Sequence, residues 1–137
     1  MLEYIVIYLI SGIFGWLIEY IYSKRQLSTC ADTLNRKYLN LCMPFLHLWA
    51  VGGTFLFFMS NYCLSKNKII LAIIAGLLLT VIECVAGKIS HKINGKKTWN
   101  YENNVMPMCD CYVALDITIY WCFIAFAFFI ISDLLRN

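Results

Sequence analysis

Charged side chains are scarce in this sequence. Asp, Glu, Lys and Arg make up 14% of its 137 residues, against about 25% in ordinary soluble domains. Proline is also rare, with two residues, whereas apolar residues reach 61%. A soluble fold of this size buries only about two thirds of the surface that its unfolded chain exposes, so it cannot hide this much apolar surface from water. The composition therefore indicates an integral membrane protein.

The sequence also lacks the motifs of several common enzyme classes. There is no G-x-S-x-G nucleophile elbow. There is no Walker A loop either, so we do not expect this chain to hydrolyse ATP by itself. The net charge of +3 is too small to suggest a nucleic-acid surface. We predict no nucleic-acid partner and no cofactor.

Long apolar runs are what the sequence does contain. Each is about 20 residues long, which as a helix spans roughly 30 Å, the thickness of the hydrocarbon layer of a bilayer. The backbone must satisfy its own hydrogen bonds in lipid, so each run is predicted to be helical. The four predicted transmembrane helices cover residues 4–22, 46–64, 69–89 and 112–131. We expect residues 1–137 to form one all-α domain in the lipid bilayer, a four-helix transmembrane bundle.

Basic residues in the connecting loops predict the orientation of this bundle. Loops one and three carry eight Lys and Arg residues, and the opposite side carries three. Short loops rich in Lys and Arg stay in the cytoplasm. We therefore expect loops one and three to be cytoplasmic, with both termini on the other side. Loop two, Ser65-Lys66-Asn67, is short, which makes helices 2 and 3 antiparallel neighbours.

The seven cysteines divide between helices and loops. A small apolar thiol is common inside a helix, as at Cys63, Cys84 and Cys122. The others lie in or beside loops one and three: Cys30, Cys42, Cys109 and Cys111. These loop thiols are expected to be reduced in the cytoplasm, whereas the inverted orientation leaves open a disulfide from Cys30 to Cys109 or Cys111. The Cys109-x-Cys111 spacing is not that of a usual zinc site, so we predict no metal site.

Ionisable residues within the predicted helices mark candidate functional positions, because each costs about 2.5–3.5 kcal/mol at the centre of a span on insertion scales. Glu19 and Glu83 come late in helices 1 and 3, and His47 and Asp116 come early in helices 2 and 4. Alternate helices run in opposite directions, so all four lie at the end that carries loops one and three. We predict a one-sided intramembrane polar pocket there. Its candidate residues are Trp16, Glu19, Asn35, Arg36, His47, Glu83, Lys88, Trp99, Tyr101, Asp110 and Asp116.

Small residues share a helix face with two of these acids. Such residues let helices approach closely, and spacings of three and four place side chains on one face. The faces are Gly76-Thr80-Glu83-Gly87 in helix 3 and Ser11-Gly15-Glu19 in helix 1. Gly52-Gly53 gives helix 2 a point of close approach or bending. Both acids are therefore predicted to point into the bundle.

Several alternatives for these side chains stay open. The acids build a binding or catalytic pocket, or extend toward water, or pair with Arg36 or Lys88 and lock the bundle, or form an interface with a partner. The aromatic residues of the same end fit an interfacial belt better than a stacking platform. They are Trp16, Trp99, Tyr101 and Tyr112.

Several motifs together resemble a known family. Gly15-Trp16-Leu17-Ile18-Glu19 resembles the G-W-x-x-E motif in the first helix of the Putative ABC-transporter type IV family, the CmpB-like membrane proteins. Leu34-Asn35-Arg36 followed by Pro44 is similar to the N-R-G segment of that family, although Lys37 replaces the glycine. Glu83 with Gly87 is similar to its E-x-x-x-G helix, and Trp99-Asn100-Tyr101 to its W-D-Y-S loop. The resemblance implies a small multi-pass membrane protein associated with transport.

Three functions follow as hypotheses. The first is a membrane component that binds or moves a small solute, as a homo-oligomer or with a transporter partner. The second is a membrane-embedded enzyme acting on a lipid or isoprenoid head group, with Glu19 or Glu83 as the base and Arg36 and Lys88 on the anion. The third is a structural or interaction protein whose acids hold the helices together.

Overall fold

The computed structural model describes residues 1–22, 46–62 and 67–136, except for the side chains at positions 19, 20, 22, 94 and 136. The described residues form four α-helices and one pair of short strands. The helices are α1 (Leu2–Tyr22), α2 (His47–Tyr62), α3 (Lys68–Asn94) and α4 (Leu115–Arg136). The strands, β1 (Pro107–Met108) and β2 (Val113–Ala114), pair in antiparallel fashion between α3 and α4. The predicted helical class is confirmed.

Two of the helices are long and apolar enough to cross a membrane. They are the segments Lys68–Ile93 of α3 and Leu115–Leu135 of α4. The apolar part of α1, Leu2–Ile18, is shorter. The 16 residues of α2 reach about 24 Å as a helix, less than the thickness of the hydrocarbon layer. Among the described residues, length and composition thus support two spans, and the four-span bundle stays a prediction.

The chain divides into two compact units, of which the first comprises Met1–Phe55 and Ser90–Thr98. Within it α1 and the beginning of α2 lie close together, because a Cβ built at Gly15 would overlap the side chain of Trp49. A Cβ built at Gly53 would likewise overlap the hydroxyl of Ser11. Ser11 and Gly15 of the small-residue face predicted for helix 1 therefore do meet α2, and of the two possibilities predicted at Gly52-Gly53 the close approach is found at Gly53.

The second unit comprises Leu56–Ile89 and Trp99–Asn137. Its α3 and α4 segments are antiparallel, because Nζ of Lys68 at the start of α3 lies 2.9 Å from Oδ2 of Asp133 near the end of α4. The buried residues of these two helices are mostly apolar. The apolar ones are Leu71, Ala72, Ala75, Leu79, Trp121, Ala125 and Phe129.

The remaining surface of α3 is exposed and apolar. Large aliphatic residues cover it over about five turns: Ile69, Ile70, Ile73, Ile74, Leu77, Leu78, Val81, Val85 and Ile89. A soluble protein rarely exposes an apolar patch of this extent. Lipid is the environment in which such a face carries no penalty.

The ends of two helices differ from the sequence prediction. α3 continues past Ile89 to Asn94, and Gly95 ends it with a φ of +71°. A left-handed glycine just after the last helical residue is a common helix terminator. α4 begins at Leu115 rather than at residue 112. Residues 112–114 are not helical, because the chain passes through the β1–β2 pair immediately before the helix begins.

Candidate functional site

Glu83 is the most deeply buried acid among the described residues, with 2% of its surface exposed. Its Oε2 accepts a hydrogen bond of 2.7 Å from Nε1 of Trp121 on α4. Its Oε1 accepts one of 2.9 Å from the hydroxyl of Tyr101. A buried carboxylate needs such donors, because leaving it without partners in a low-dielectric interior is costly. The carboxylate thus joins α3, α4 and the segment between them.

That segment, residues 99–114, is called the cap segment below. Trp99 fixes one side of it, since its Nε1 donates to the carbonyl oxygen of Tyr112 over 2.9 Å. The two rings meet edge to face with centroids 6.2 Å apart. Tyr112 is 2% exposed and covers Gly87, where a Cβ would overlap the tyrosine ring. The predicted face of α3 from Gly76 to Gly87 therefore does point inward.

The burial of Tyr112 corrects the expected aromatic belt at this residue. A belt residue presents its ring to the lipid headgroups, but Tyr112 lies inside the second unit. The polar atoms of Trp99 and Tyr101 form hydrogen bonds within the protein. Trp99 donates to the carbonyl oxygen of Tyr112, and Tyr101 donates to Glu83. They act as hydrogen-bonding anchors of the cap segment.

Asp116 also contacts the cap segment. Its Oδ2 accepts a hydrogen bond of 2.9 Å from Nδ2 of Asn104. Its Oδ1 is buried and has no hydrogen-bond partner among the described residues. Asp116 lies in the first turn of α4, where a carboxylate interacts favourably with the positive end of the helix dipole. Glu83 and Asp116 therefore both bond the cap segment, but Glu83 lies near the middle of α3 and not late in the helix as predicted, because α3 continues to Asn94.

Polar contacts continue between α3 and α4 beyond the carboxylate. The hydroxyls of Thr80 and Thr118 lie 3.1 Å apart. Each hydroxyl also bonds the carbonyl oxygen four residues before it in its own helix, Gly76 for Thr80 and Ala114 for Thr118. This pairing satisfies both side chains without water, as a membrane span requires.

The cysteines of this unit differ from the expectation. Cys84 and Cys109 form a disulfide, although Cys84 was expected to be an ordinary helix thiol and Cys109 to be reduced or to pair with Cys30. The fold of the cap segment explains the error, because this segment folds back onto the middle of α3, where Cys84 lies. Cys111 carries a free thiol. Cys30 and Cys42 lie outside the described residues.

Lys88 and Asp110 form an ion pair with 3.3 Å between Nζ and Oδ2. Both side chains are more than half exposed, so the pair contributes little to stability. Lys88 thus bonds an acid of the cap segment, whereas the locked-bundle alternative expected Arg36 or Lys88 to pair with Glu19 or Glu83. The enzyme hypothesis assigned Lys88 to a substrate anion, and this ion pair does not favour that role.

The other predicted site residues belong to the first unit or lie outside the described part of the chain. His47 is exposed, and its Nδ1 lies 2.6 Å from the hydroxyl of Tyr8. Trp16 is half-buried. Asn35, Arg36 and the side chain of Glu19 are outside the described residues. The convergence of Glu19 with Glu83 therefore stays a prediction.

Two residues of the site were missed by sequence reasoning. Trp121 carried a usable signal, because a tryptophan in mid-helix, away from the interfacial positions typical of a span, needs an acceptor for its N–H. Asn104 carried none, since an asparagine in a polar loop is unremarkable. Among the described residues no group of three or more His, Cys, Asp or Glu side chains is arranged to hold a metal ion.

The comparisons with known proteins agree with this picture. The family model described as Putative ABC-transporter type IV matches residues 6–136, nearly the whole chain. The comparisons with curated proteins and with solved structures each found no match. The matched residues include α3, the cap segment, α4 and every residue of the Glu83 site. The chain therefore belongs to the Putative ABC-transporter type IV family.

Proposed function

We propose that this protein is a small multi-pass membrane component that binds or moves a solute, as a homo-oligomer or with a transporter partner. The family supports an association with transport. The observation that carries the proposal is the buried carboxylate of Glu83 in a helix long enough to cross the membrane. An acid in such a position is expensive, and acids that are retained there usually serve a function.

The environment of Glu83 indicates the kind of solute. A carboxylate accepts hydrogen bonds and attracts positive charge, so the ligand is a cation or a molecule rich in N–H or O–H donors. Trp121 is 6% exposed and fixes one oxygen from inside the helix pair. Tyr101 holds the other oxygen from the cap segment. A solute that replaces the Tyr101 hydroxyl therefore gains the acceptor without rearrangement of the helices.

The remaining elements of the proposal come from the sequence. The proposal includes four membrane spans, with loops one and three in the cytoplasm. It also includes contributions to the site from five residues of the sequence prediction: Trp16, Glu19, Asn35, Arg36 and His47. The basic residues of loops one and three support the orientation. The absence of a Walker A loop in the sequence supports a separate ATP-hydrolysing partner.

Flux through proteoliposomes tests the proposal. The full chain is reconstituted, and movement of protons, sodium, potassium and small organic cations is followed against empty liposomes. We expect flux of at least one of these cations, and a loss of about tenfold or more with Glu83→Gln, which removes the charge. The matched control is Glu102→Gln, because Glu102 is exposed and belongs to the same cap segment. No flux above empty liposomes contradicts movement of these cations by this chain without a partner, and equal flux from both variants contradicts the role of Glu83.

A structural role is the second candidate, and one observation favours it. Both oxygens of Glu83 already have protein donors, as in a side chain that only fastens the cap segment to the helices. Under this alternative Glu83→Gln changes stability or assembly and leaves cation flux unaltered. Size-exclusion chromatography of the variants beside the flux assay separates the two roles.

A further inference from the structure

The Cys84–Cys109 disulfide joins the cap segment to α3 immediately beside the proposed site. Its two Cα atoms lie 6.0 Å apart and its cysteines are separated by 25 positions. Cys84 directly follows Glu83 in the chain. Both cysteines are half-buried. The crosslink therefore lies close to the carboxylate.

The backbone around Cys109 has a conformation that side-chain-bearing residues avoid. Cys109, Asp110 and Cys111 have φ values of 52°, 56° and 64°, and Met106 has one of 50°. Left-handed backbone brings Cβ too close to the carbonyl oxygen, which is why glycine usually takes it. Three consecutive residues in this region persist only where surrounding contacts impose the conformation.

The crosslink is the strongest of those contacts. The Lys88–Asp110 ion pair is exposed on both sides and weak. The backbone N–H of Tyr112 donates to the carbonyl of Cys109 over 3.1 Å, which is a bond within the segment itself. A covalent bridge across this much chain restricts opening far more than either contact does.

The constrained backbone also holds the residue that covers Glu83. The N–H of Tyr101 donates to the carbonyl oxygen of Cys111 over 2.8 Å. The hydroxyl of the same tyrosine donates to Glu83. The position of Tyr101 on the carboxylate thus depends on the conformation of residues 109–111, which the crosslink maintains.

We propose that the Cys84–Cys109 disulfide is a reversible, redox-sensitive latch that keeps Tyr101 on Glu83 when oxidised and releases the cap segment when reduced. Reduction proceeds by thiol–disulfide exchange with a dithiol or with two molecules of glutathione. A reductant thiolate attacks one sulfur of the bridge, and the other cysteine leaves as a thiolate. A second reductant thiol resolves the mixed disulfide. Two cysteine thiols form, and the reductant becomes a disulfide.

The basic residues near the latch favour a reversible disulfide over a permanent crosslink. Lys88, Lys92, Lys96 and Lys97 place this end of the chain in the cytoplasm, a step that rests on the orientation given in the proposed function. Disulfides in a reducing cytoplasm are usually transient and serve in catalysis or redox sensing.

Redox titration of the full chain in lipid nanodiscs tests the latch. The protein is equilibrated in mixtures of reduced and oxidised glutathione, free thiols are alkylated, and the labelled peptides are identified by mass spectrometry. We expect the Cys84–Cys109 bridge to open at the glutathione ratio of a reducing cytoplasm. Hydrogen exchange at the amides of Tyr101 and Tyr112 should then be about tenfold faster or more, because a crosslink of this length shifts an opening equilibrium by a factor on the order of 10².

Two variants sharpen the experiment. Cys109→Ser should show fast amide exchange without any reductant and no further change on its addition. Cys111→Ser, which removes a free thiol from the same segment, should titrate as the unmodified protein does. The unmodified protein under reductant provides the same comparison if Cys109→Ser does not fold.

Two results overturn the latch. One is a bridge that stays oxidised at the cytoplasmic glutathione ratio, which makes it a permanent structural crosslink. The other is a bridge that opens without faster exchange at Tyr101 and Tyr112. Neither readout involves solute movement, so failure of the latch and failure of the flux assay are separate outcomes.

Discussion

At the scale of single residues, Glu83 serves two fixed donors at once. Glu83→Ala leaves the indole N–H of Trp121 and the hydroxyl of Tyr101 without their acceptor, and each orphaned buried donor costs about 1–3 kcal/mol. We expect the alanine variant to lower the free energy of unfolding in detergent by about 2–4 kcal/mol. Glu83→Gln should cost less, because its amide oxygen still accepts from Trp121. Denaturant titration followed by tryptophan fluorescence measures both.

Glu102→Ala is the control for that series. Glu102 is exposed, and its Oε2 accepts a hydrogen bond from Asn100 over 2.7 Å. Exposed substitutions of this kind usually change stability by about 0.5 kcal/mol or less. Equal losses from Glu83→Ala and Glu102→Ala would mean that burial of the carboxylate has no energetic consequence.

Gly76 provides a second test at this scale, because α3 and α4 are in backbone contact there. A Cβ built at Gly76 lies 2.8 Å from the backbone nitrogen of Cys122 and 2.9 Å from its Cα. Alanine favours a helix over glycine by about 1 kcal/mol, but overpacking against a rigid backbone costs about 1–3 kcal/mol. We expect Gly76→Ala to destabilise the protein, as measured by thermal unfolding in detergent.

The comparison for Gly76 is Leu77→Ala, on the neighbouring residue. Leu77 is exposed, so its truncation leaves the contact between the helices intact and should have little effect. A stabilised Gly76→Ala variant would mean that propensity outweighs packing and that the two helices do not approach as closely as described.

At the scale of elements, two ion pairs of different exposure predict different energies. Lys68 and Asp133 join the start of α3 to the end of α4, with 27% and 42% of their side chains exposed. We expect Asp133→Asn to cost about 0.5–1 kcal/mol at low salt, and less at high salt, where exposed charges are screened. Asp110→Asn breaks the more exposed pair with Lys88 and should cost almost nothing. Thermal unfolding at two salt concentrations measures both, and equal costs would contradict this ranking.

Elements of different kinds were predictable to different degrees. The helices were predictable because an apolar run about 20 residues long has few alternatives in a bilayer. The β1–β2 pair was not, since two-residue strands carry no periodicity. The left-handed backbone at Cys109, Asp110 and Cys111 was also unpredictable, because no glycine marks it. A local pattern can indicate a helix, whereas tertiary contacts alone impose such a turn.

The candidate site shows the same division. Glu83 was predictable from the cost of an acid in a span. The partners of Glu83 and of Cys84 were not, because connectivity across 18 and 25 positions depends on how the cap segment folds back onto α3. Tyr112 was found for the wrong reason: its position fits an interfacial belt, but tertiary folding buries it, and Trp99 donates to its carbonyl oxygen.

At the scale of the whole molecule, the number of spans decides on which side loop one lies. If only α3 and α4 cross the bilayer, everything before Lys68 lies on the side of the C-terminus. If α1 and α2 also cross, loop one lies on the opposite side, together with the cap segment. The termini lie on one side in both cases, so loop one alone distinguishes two spans from four.

An epitope inserted between Ala31 and Asp32, with a second epitope after Asn137, tests the four-span prediction. Antibody binding is measured on intact and on permeabilised cells. The excess of Lys and Arg in loops one and three predicts that intact cells expose the C-terminal epitope and that the loop-one epitope appears only after permeabilisation. If both epitopes are accessible on intact cells, only α3 and α4 cross the membrane. Glu19 would then not lie on the same side as Glu83. If loop one is accessible on intact cells and the C-terminal epitope is not, the orientation is the reverse of the predicted one. The Cys84–Cys109 bridge would then lie in an oxidising environment, where it would persist as a permanent crosslink.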